Sequence, residues 1–156
     1  MKIPYESLRE GVRLFGVSGT HGAPSVKEKA AMTKILCVED SEDNLFTLHK
    51  RLSLAGFEVK VATNGTEGVD WAKTLRPHLI VMDLRLPGLD GWEATRRLKS
   101  QPETKHIPII VVTSDTSEKS REKAFAAGCD EYELKPVDFE KLVKKIHSFL
   151  SRGAKA

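Results

Sequence analysis

The chain has 156 residues, of which 40% are hydrophobic and 30% charged, and its formal net charge is +3 at pH 7. This composition is typical of one soluble globular domain and excludes a chain that is disordered throughout. No apolar run approaches the roughly 20 residues that cross a bilayer, and charges interrupt the N-terminal stretch MKIPYESLREGVRLF. We therefore expect a cytoplasmic protein without a membrane or nucleic-acid partner.

Residues 1–32 differ in character from the rest of the chain. They contain one weak helical pattern, at Leu8, Val12 and Phe15, followed by the breaker-rich stretch GVSGTHGAPS. Because so few apolar side chains bury little surface, we predict a flexible N-terminal extension or linker. Two alternatives stay open, which are a partner-binding arm and a shorter natural protein that starts at Met32.

From Thr33 onward, apolar runs that resemble strands alternate with segments of helical period. The runs lie at 34–38, 57–62, 78–82, 107–112 and 131–134, and the helical segments at 43–55, 65–75, 91–99, 117–127 and 138–150. Continuous apolar strands that alternate with helices are typical of a parallel sheet covered on both faces. With right-handed crossovers, the pattern predicts a doubly wound α/β fold of five strands and five helices.

Polar residues follow or end four of the predicted strands. They are Glu39 and Asp40 after the first, Asp83 after the third, Thr113 at the end of the fourth and Lys135 after the fifth. Because ligands bind at the carboxyl ends of parallel strands, we expect these side chains to form one site. Converging carboxylates repel each other unless a cation joins them, and oxygen ligands suit Mg²⁺. With a hydroxyl and an ammonium for phosphoryl oxygens, the set predicts magnesium-assisted phosphoryl transfer.

Four motifs of this chain resemble those of the receiver domains of two-component response regulators. They are ILCVEDSEDN, MDLRLPGLDGWE, VVTSD and YELKP, and the resemblance covers essentially residues 33–151, which leaves a short tail at 152–156. The resemblance implies a flavodoxin-like, CheY-like sheet with the strand order 2-1-3-4-5. It also implies a phosphoacceptor signalling switch whose catalysis is limited to its own phosphorylation and slow dephosphorylation.

The resemblance assigns roles to the acidic residues. Asp83 would be the phosphorylated aspartate and a metal ligand, and Asp40 would bind Mg²⁺ directly, with Glu39 beside it, often acting through water. The backbone carbonyl of Arg85 would supply another metal ligand.

The remaining motif residues would sense and transmit the modification. Thr113 would hydrogen-bond a phosphoryl oxygen, Lys135 would pair with another, and the Lys135–Pro136 bond resembles the cis peptide of this family. Tyr132 matches the aromatic position that turns inward when the hydroxyl residue moves. This movement would remodel the surface of the fourth helix, the fifth strand and the fifth helix and so control partner binding.

Arg85 and Asp115 each lie two residues beyond a predicted site residue. One hypothesis is that they form an ion pair that obstructs attacking water and slows dephosphorylation. The alternative is two solvated charges without mutual influence, since surface pairs are weak.

Two rival functions suit this sequence poorly. A flavodoxin-like cofactor binder needs a hydroxyl- and glycine-rich phosphate loop after the first strand, where this chain has EDSEDN. A phosphatase or phosphotransferase similar to the haloacid dehalogenases would carry a DxDx[TV] arrangement there, where this chain has Glu39, Asp40 and Ser41.

Partners follow from the resemblance alone. It implies a sensor histidine kinase or a histidine phosphotransfer protein as phosphoryl donor, and a downstream protein target. No helix-turn-helix or enzymatic region is evident after residue 151, so we expect no DNA-binding output domain. The alternative function is an intermediate phosphate carrier to a histidine phosphotransfer protein, and the oligomeric state is left open between a monomer and a phosphorylation-dependent dimer.

Overall fold

Five strands alternate with five helices in residues 33–154, which are the residues that the computed structural model describes. The predicted extension at 1–32 lies outside them. In chain order the elements are β1 (Lys34–Val38), α1 (Glu42–Leu54), β2 (Glu58–Ala62), α2 (Gly65–Leu75), β3 (Leu79–Asp83), α3 (Gly91–Ser100), β4 (Ile109–Thr113), α4 (Glu118–Ala127), β5 (Glu131–Leu134) and α5 (Phe139–Ala154). None of these helices combines the length and the apolar character that crossing a bilayer requires. The predicted number, type and order of elements are confirmed.

The five strands form one parallel sheet in the order β2-β1-β3-β4-β5, as expected. Ile35 of β1 pairs with Val59 of β2 on one side and with Leu79 of β3 on the other. The chain therefore builds the sheet outward in opposite directions from β1 and β3. Loops that leave the carboxyl ends of these two strands turn to opposite faces, and the gap between them is where such folds bind ligands.

The core consists of two apolar layers, one on each face of the sheet. Neighbouring strand residues point to opposite faces. The layer shared with α1 and α5 contains Ile35, Cys37, Leu45, Leu52, Val81, Leu142 and Ile146. The layer shared with α2, α3 and α4 contains Leu36, Val38, Ala72, Met82, Leu98, Val111 and Ala124. The sheet is thus covered on both faces, which explains why its strands are continuous apolar runs.

Polar caps fix where most of the helices begin. Four helices start at a side chain that accepts a hydrogen bond from a backbone N–H of the first turn, and these caps are Ser41, Asn64, Asp90 and Ser117. Such caps satisfy amide groups that have no partner inside the helix. At its other end, α4 closes on Gly128 in the left-handed conformation, with φ of 108°. Predicted and observed starts of the helices agree within one residue, whereas α5 continues to Ala154, past the predicted end at 150.

Two leucines of α1 test which side of this helix stabilises the fold. Leu52 is fully buried, whereas Leu54 is 70% exposed. We expect Leu52→Ala to lower the free energy of unfolding by about 2–5 kcal/mol, because burial is lost and a cavity remains. Leu54→Ala, the matched control, should change it by about 0.5 kcal/mol or less. Urea unfolding followed by circular dichroism measures both, and equal losses would contradict the assigned buried face of α1.

Candidate functional site

Three carboxylates converge at the carboxyl ends of β1 and β3. Glu39 and Asp40 directly follow β1, and Asp83 is the last residue of β3. One oxygen atom from each of the three lies within 4.8 Å of the others. Glu39 and Asp83 are buried, at 2% and 6% exposure, while Asp40 faces solvent. The site therefore has a buried floor and one wet side, through which a ligand can enter.

Lys135 brings a positive charge to these carboxylates from the end of β5. Its ammonium nitrogen lies 2.6 Å from Oε2 of Glu39 and 3.3 Å from Oδ2 of Asp83. The backbone N–H of Lys135 donates to the carbonyl of Thr113, and the Lys135–Pro136 peptide bond is cis. Burial disfavours the charged ammonium, but the hydrogen bond to Glu39 and the charges of Asp83 and Glu39 outweigh burial and raise the pKa of Lys135. Lys135 thus stays protonated.

The surroundings of Asp83 disfavour the ionised form of its carboxyl group. Burial, followed by repulsion from Glu39, raises the pKa of Asp83 from 3.8 to about 6, although Lys135 acts in the opposite direction. One ammonium does not neutralise three carboxylates, so the cluster favours a further cation. Oxygen donors on a partly open site fit Mg²⁺, which prefers carboxylate and carbonyl ligands and keeps several waters. The donor set therefore fits the predicted metal.

Thr113 ends β4, and Tyr132 lies in the neighbouring strand β5. Thr113 is fully buried, and its hydroxyl oxygen accepts a hydrogen bond of 3.2 Å from the backbone N–H of Asp115. Its neighbour Val112 pairs with Asp83 across the sheet, so the hydroxyl lies at the same sheet edge as the carboxylates. Tyr132 is only 8% exposed, and its hydroxyl donates to the carbonyl of Asp115 at 3.0 Å. The ring of Tyr132 is already turned inward in this structure.

Arg85 and Asp115 form the ion pair that the sequence suggested. A guanidinium nitrogen of Arg85 lies 3.1 Å from Oδ2 of Asp115, with the two side chains 70% and 20% exposed. Hydrogen bonds from Ser117 and then the interaction with Arg85 lower the pKa of Asp115, so this carboxyl group is ionised at neutral pH. The pair joins the loops that follow β3 and β4. The predicted role of the Arg85 carbonyl as a metal ligand stays a prediction.

Gly91 fixes the loop between β3 and α3 against the site. A Cβ atom at this position would lie 2.0 Å from the carbonyl oxygen of Asp83 and 2.7 Å from Cα of Leu84. The N–H of Gly91 also donates to the carbonyl of Leu84. Because only glycine allows this approach of two backbones, the first turn of α3 lies directly beside the phosphoacceptor candidate.

Three contributions to the site were missed by the sequence analysis. The contacts of the Lys135 ammonium with Glu39 and Asp83 were not predicted, and the assignment of Lys135 to a phosphoryl oxygen stays a prediction. Ser120 was not singled out, yet its hydroxyl lies 3.3 Å from that of Tyr132. The indole N–H of Trp92 donates to the carbonyl of Ser120. All three contacts join separate elements, and no local sequence pattern encodes them.

Comparisons with known proteins agree with this geometry. Residues 35–147 match the family model of the response regulator receiver domain. The chain is 38% identical over 120 residues to the protein PilH of Pseudomonas aeruginosa, which covers 77% of this chain and 99% of that protein. It is 35% identical over 116 residues to the polar-differentiation response regulator DivK of Brucella anthropi, with coverages of 74% and 94%.

Solved structures show the same fold. One of them is the receiver domain of a sensor histidine kinase from Pseudomonas aeruginosa, which has a magnesium ion coordinated in its active site cleft. It superposes on this chain with a TM-score of 0.72 at 32% identity. The match covers 76% of this chain and 98% of that chain. The chemotaxis response regulator CheY4 of Vibrio cholerae gives a TM-score of 0.70 at 30% identity, with the same coverages. The chain therefore belongs to the response regulator receiver domain family of two-component signalling.

Proposed function

We propose that this chain is a phosphoacceptor switch in which Asp83 takes a phosphoryl group from a phosphohistidine or from a small acyl phosphate. The observation that carries the proposal is the position of Asp83, buried beside two further carboxylates and an ammonium group. A carboxylate oxygen of Asp83 attacks phosphorus in line while the bond from phosphorus to the donor breaks. The product is an acyl phosphate on Asp83, so the protein changes its own state and turns over no external substrate.

The residues around Asp83 prepare it for this attack. With a pKa of about 6, Asp83 is mostly ionised at neutral pH and therefore nucleophilic. Asp40, Asp83 and the Arg85 carbonyl would hold Mg²⁺, with Glu39 acting through water. Bound there, the ion supplies neutralisation of the negative charge on the transferring oxygens. Lys135, which already lies 3.3 Å from Asp83, would exchange its carboxylate contacts for a phosphoryl oxygen.

The switch itself depends on the hydroxyl of Thr113. This hydroxyl now accepts the N–H of Asp115, and a phosphoryl group on Asp83 would attract it as a donor. Movement of Thr113 would disturb Asp115, whose carbonyl holds Tyr132. The consequence would reach the surface formed by α4, β5 and α5, where Phe125 is 39% exposed and Leu134 44%. A cleft of about 430 Å³ in this region, lined by residues that include Arg121, Leu134 and Lys141, would receive the downstream protein target.

A second candidate function is an intermediate phosphate carrier that passes its phosphoryl group to a histidine phosphotransfer protein. It is favoured by the similarity of this chain to a receiver domain that is part of a sensor histidine kinase. The two functions differ in the fate of the group. A carrier that is incubated with a histidine phosphotransfer protein would lose its phosphoryl group to the histidine of that protein. The phosphoacceptor switch would instead keep the group and bind its target.

Intact mass spectrometry tests phosphorylation directly. After incubation with acetyl phosphate and Mg²⁺, we expect the wild type to gain the mass of one phosphoryl group, and EDTA to abolish this gain. Asp83→Asn removes the nucleophile and should gain nothing. The matched control Asp70→Asn changes an exposed aspartate of α2 and should behave as the wild type. A gain retained by Asp83→Asn would contradict the assignment of the acceptor.

The Arg85–Asp115 pair is expected to slow hydrolysis of the acyl phosphate. Removing a surface ion pair alters a free energy by about 0.2–1 kcal/mol, so Arg85→Ala and Asp115→Ala should accelerate the decay by up to about fivefold. Arg97→Ala is the control, because Arg97 pairs with Glu93 on the surface of α3. Decay is followed by intact mass after removal of the donor, and unchanged rates in both variants of the pair would contradict the hypothesis.

The raised pKa of Asp83 also predicts how stability without metal depends on pH. The folded state holds this proton more tightly than the unfolded chain, because the folded pKa is about 6 against an ordinary 3.8. The contribution of Asp83 to the stability of the folded state is fully present below about pH 3.8. This contribution is lost as the pH rises through about 6. In EDTA, Asp83→Asn should therefore gain stability relative to the wild type between about pH 4 and pH 7, by roughly 1–2 kcal/mol.

Urea unfolding at several pH values measures this difference. Asp70→Asn should show no such trend, and Mg²⁺ at pH 7 should narrow the difference by stabilising the wild type. If the stability of Asp83→Asn relative to the wild type fell as the pH rose, the result would contradict a raised pKa of Asp83.

A further inference from the structure

Trp92, at the start of α3, contacts groups from two other parts of the site. Its indole N–H donates to the carbonyl of Ser120 in α4 at 3.3 Å. The guanidinium carbon of Arg85 lies 5.7 Å from the centroid of its ring, and the ammonium of Lys123 lies 4.2 Å from it. Both cations are within the range in which the face of an indole attracts positive charge. Trp92 therefore bridges the loop after β3 and helix α4.

These contacts form a closed ring of five residues that includes both loops beside Asp83. Arg85 pairs with the carboxylate of Asp115, and the carbonyl of Asp115 accepts from the hydroxyl of Tyr132. The hydroxyl of Tyr132 lies 3.3 Å from that of Ser120, whose carbonyl accepts from Trp92. The ring of Trp92 then returns to Arg85. The five residues come from α3, α4, β5 and the two loops beside Asp83, so the position of each depends on the others.

Arg85 needs more than its ion pair to keep one position. Its side chain is 70% exposed, and an exposed ion pair holds two long side chains only weakly. The indole ring supplies a second contact to the same guanidinium. Trp92 is itself held by packing against the core and by its hydrogen bond to Ser120. The fixed indole ring of Trp92 thus lies against the long, exposed side chain of Arg85.

We propose that Trp92 is a positioning residue that holds Arg85, together with Asp115, across the opening beside Asp83 and so lengthens the lifetime of the acyl phosphate. This inference rests on the proposed function. In the hydrolysis, a water oxygen bonds to phosphorus as the bond from phosphorus to Asp83 breaks. Inorganic phosphate leaves, Asp83 returns to a carboxylate, and the proton of the water passes to phosphate or solvent. Trp92 takes no part in these bonds and acts only through Arg85.

A merely structural role of Trp92 would give a different result from this positioning role. Loss of packing would alter the site whether or not Arg85 is present. Loss of positioning has no effect once the guanidinium is gone. The decay rate of the phosphorylated protein, measured in both backgrounds, separates the two roles.

The experiment is a double-mutant cycle on that decay rate. The wild type, Trp92→Leu, Arg85→Ala and the double variant are phosphorylated with acetyl phosphate and Mg²⁺, freed of the donor and followed by intact mass. We expect Trp92→Leu to accelerate decay about two- to fivefold, the fold-change that corresponds to an exposed cation–π contact. In the Arg85→Ala background the same substitution should change the rate by less than about 1.5-fold. Trp71→Leu is the matched control, because Trp71 is a partly buried tryptophan of α2. This substitution should leave the decay rate unchanged.

Each outcome decides the matter. Equal acceleration in both backgrounds, or no acceleration by Trp92→Leu, overturns the positioning role. If Trp92→Leu does not fold, Trp92→Phe replaces it, because phenylalanine keeps an apolar ring but has a weaker π face and no N–H. A smaller acceleration that again requires Arg85 supports the proposal, and one that persists without Arg85 overturns it. If the wild type gains no phosphoryl group at all, the proposed function falls and this inference falls with it, which distinguishes that failure from failure of the inference alone.

Discussion

The repulsion between buried carboxylates at the ends of β1 and β3 is the constraint on which the site depends. Glu39 and Asp83 lie in a crevice where water solvates them poorly, and one ammonium, that of Lys135, holds them together. Removing charges from water is costly, and a single cation offsets only part of that cost. Burial of apolar side chains in the two layers of the core offsets this unfavourable free energy. The crevice is therefore poised to respond to any ligand that changes its charge, whether a cation or a phosphoryl group.

The sheet order is what brings these charges together. β1 and β3 are neighbours, although α1, β2 and α2 separate them in the chain. Their carboxyl ends meet where the direction of winding reverses, and β5 delivers Lys135 from the far side of β4. The close approach of Gly91 to Asp83 then brings the start of α3 to the same edge. Topology, rather than any local motif, converts residues that are distant in sequence into one site.

Sequence reasoning succeeded where a local pattern reflects a tertiary requirement. Strands buried on both faces must be continuous apolar runs, so all five were found. Sequence reasoning failed where a residue is apolar but does not belong to a strand. The run predicted to begin at 107 becomes a strand only at Ile109. Ile107 is buried, but its N–H closes a turn onto Thr104, and Pro108 has no N–H to offer. The contact of Lys135 with Glu39 spans 96 positions, and that of Trp92 with Ser120 joins two helices, so no spacing rule could predict either.

Asp115 explains how a local charge change at Asp83 would reach the surface. Its backbone N–H binds the hydroxyl of Thr113, its carbonyl accepts from Tyr132, and its carboxylate holds Arg85. If the hydroxyl of Thr113 moved toward a phosphoryl group on Asp83, it would release that N–H, and the loop after β4 would lose one of the contacts that hold it. Because the same residue also contacts Tyr132 and Arg85, its displacement would affect both of these side chains at once. The proposed switch would in this way make signal output and phosphoryl lifetime depend on one residue, Asp115.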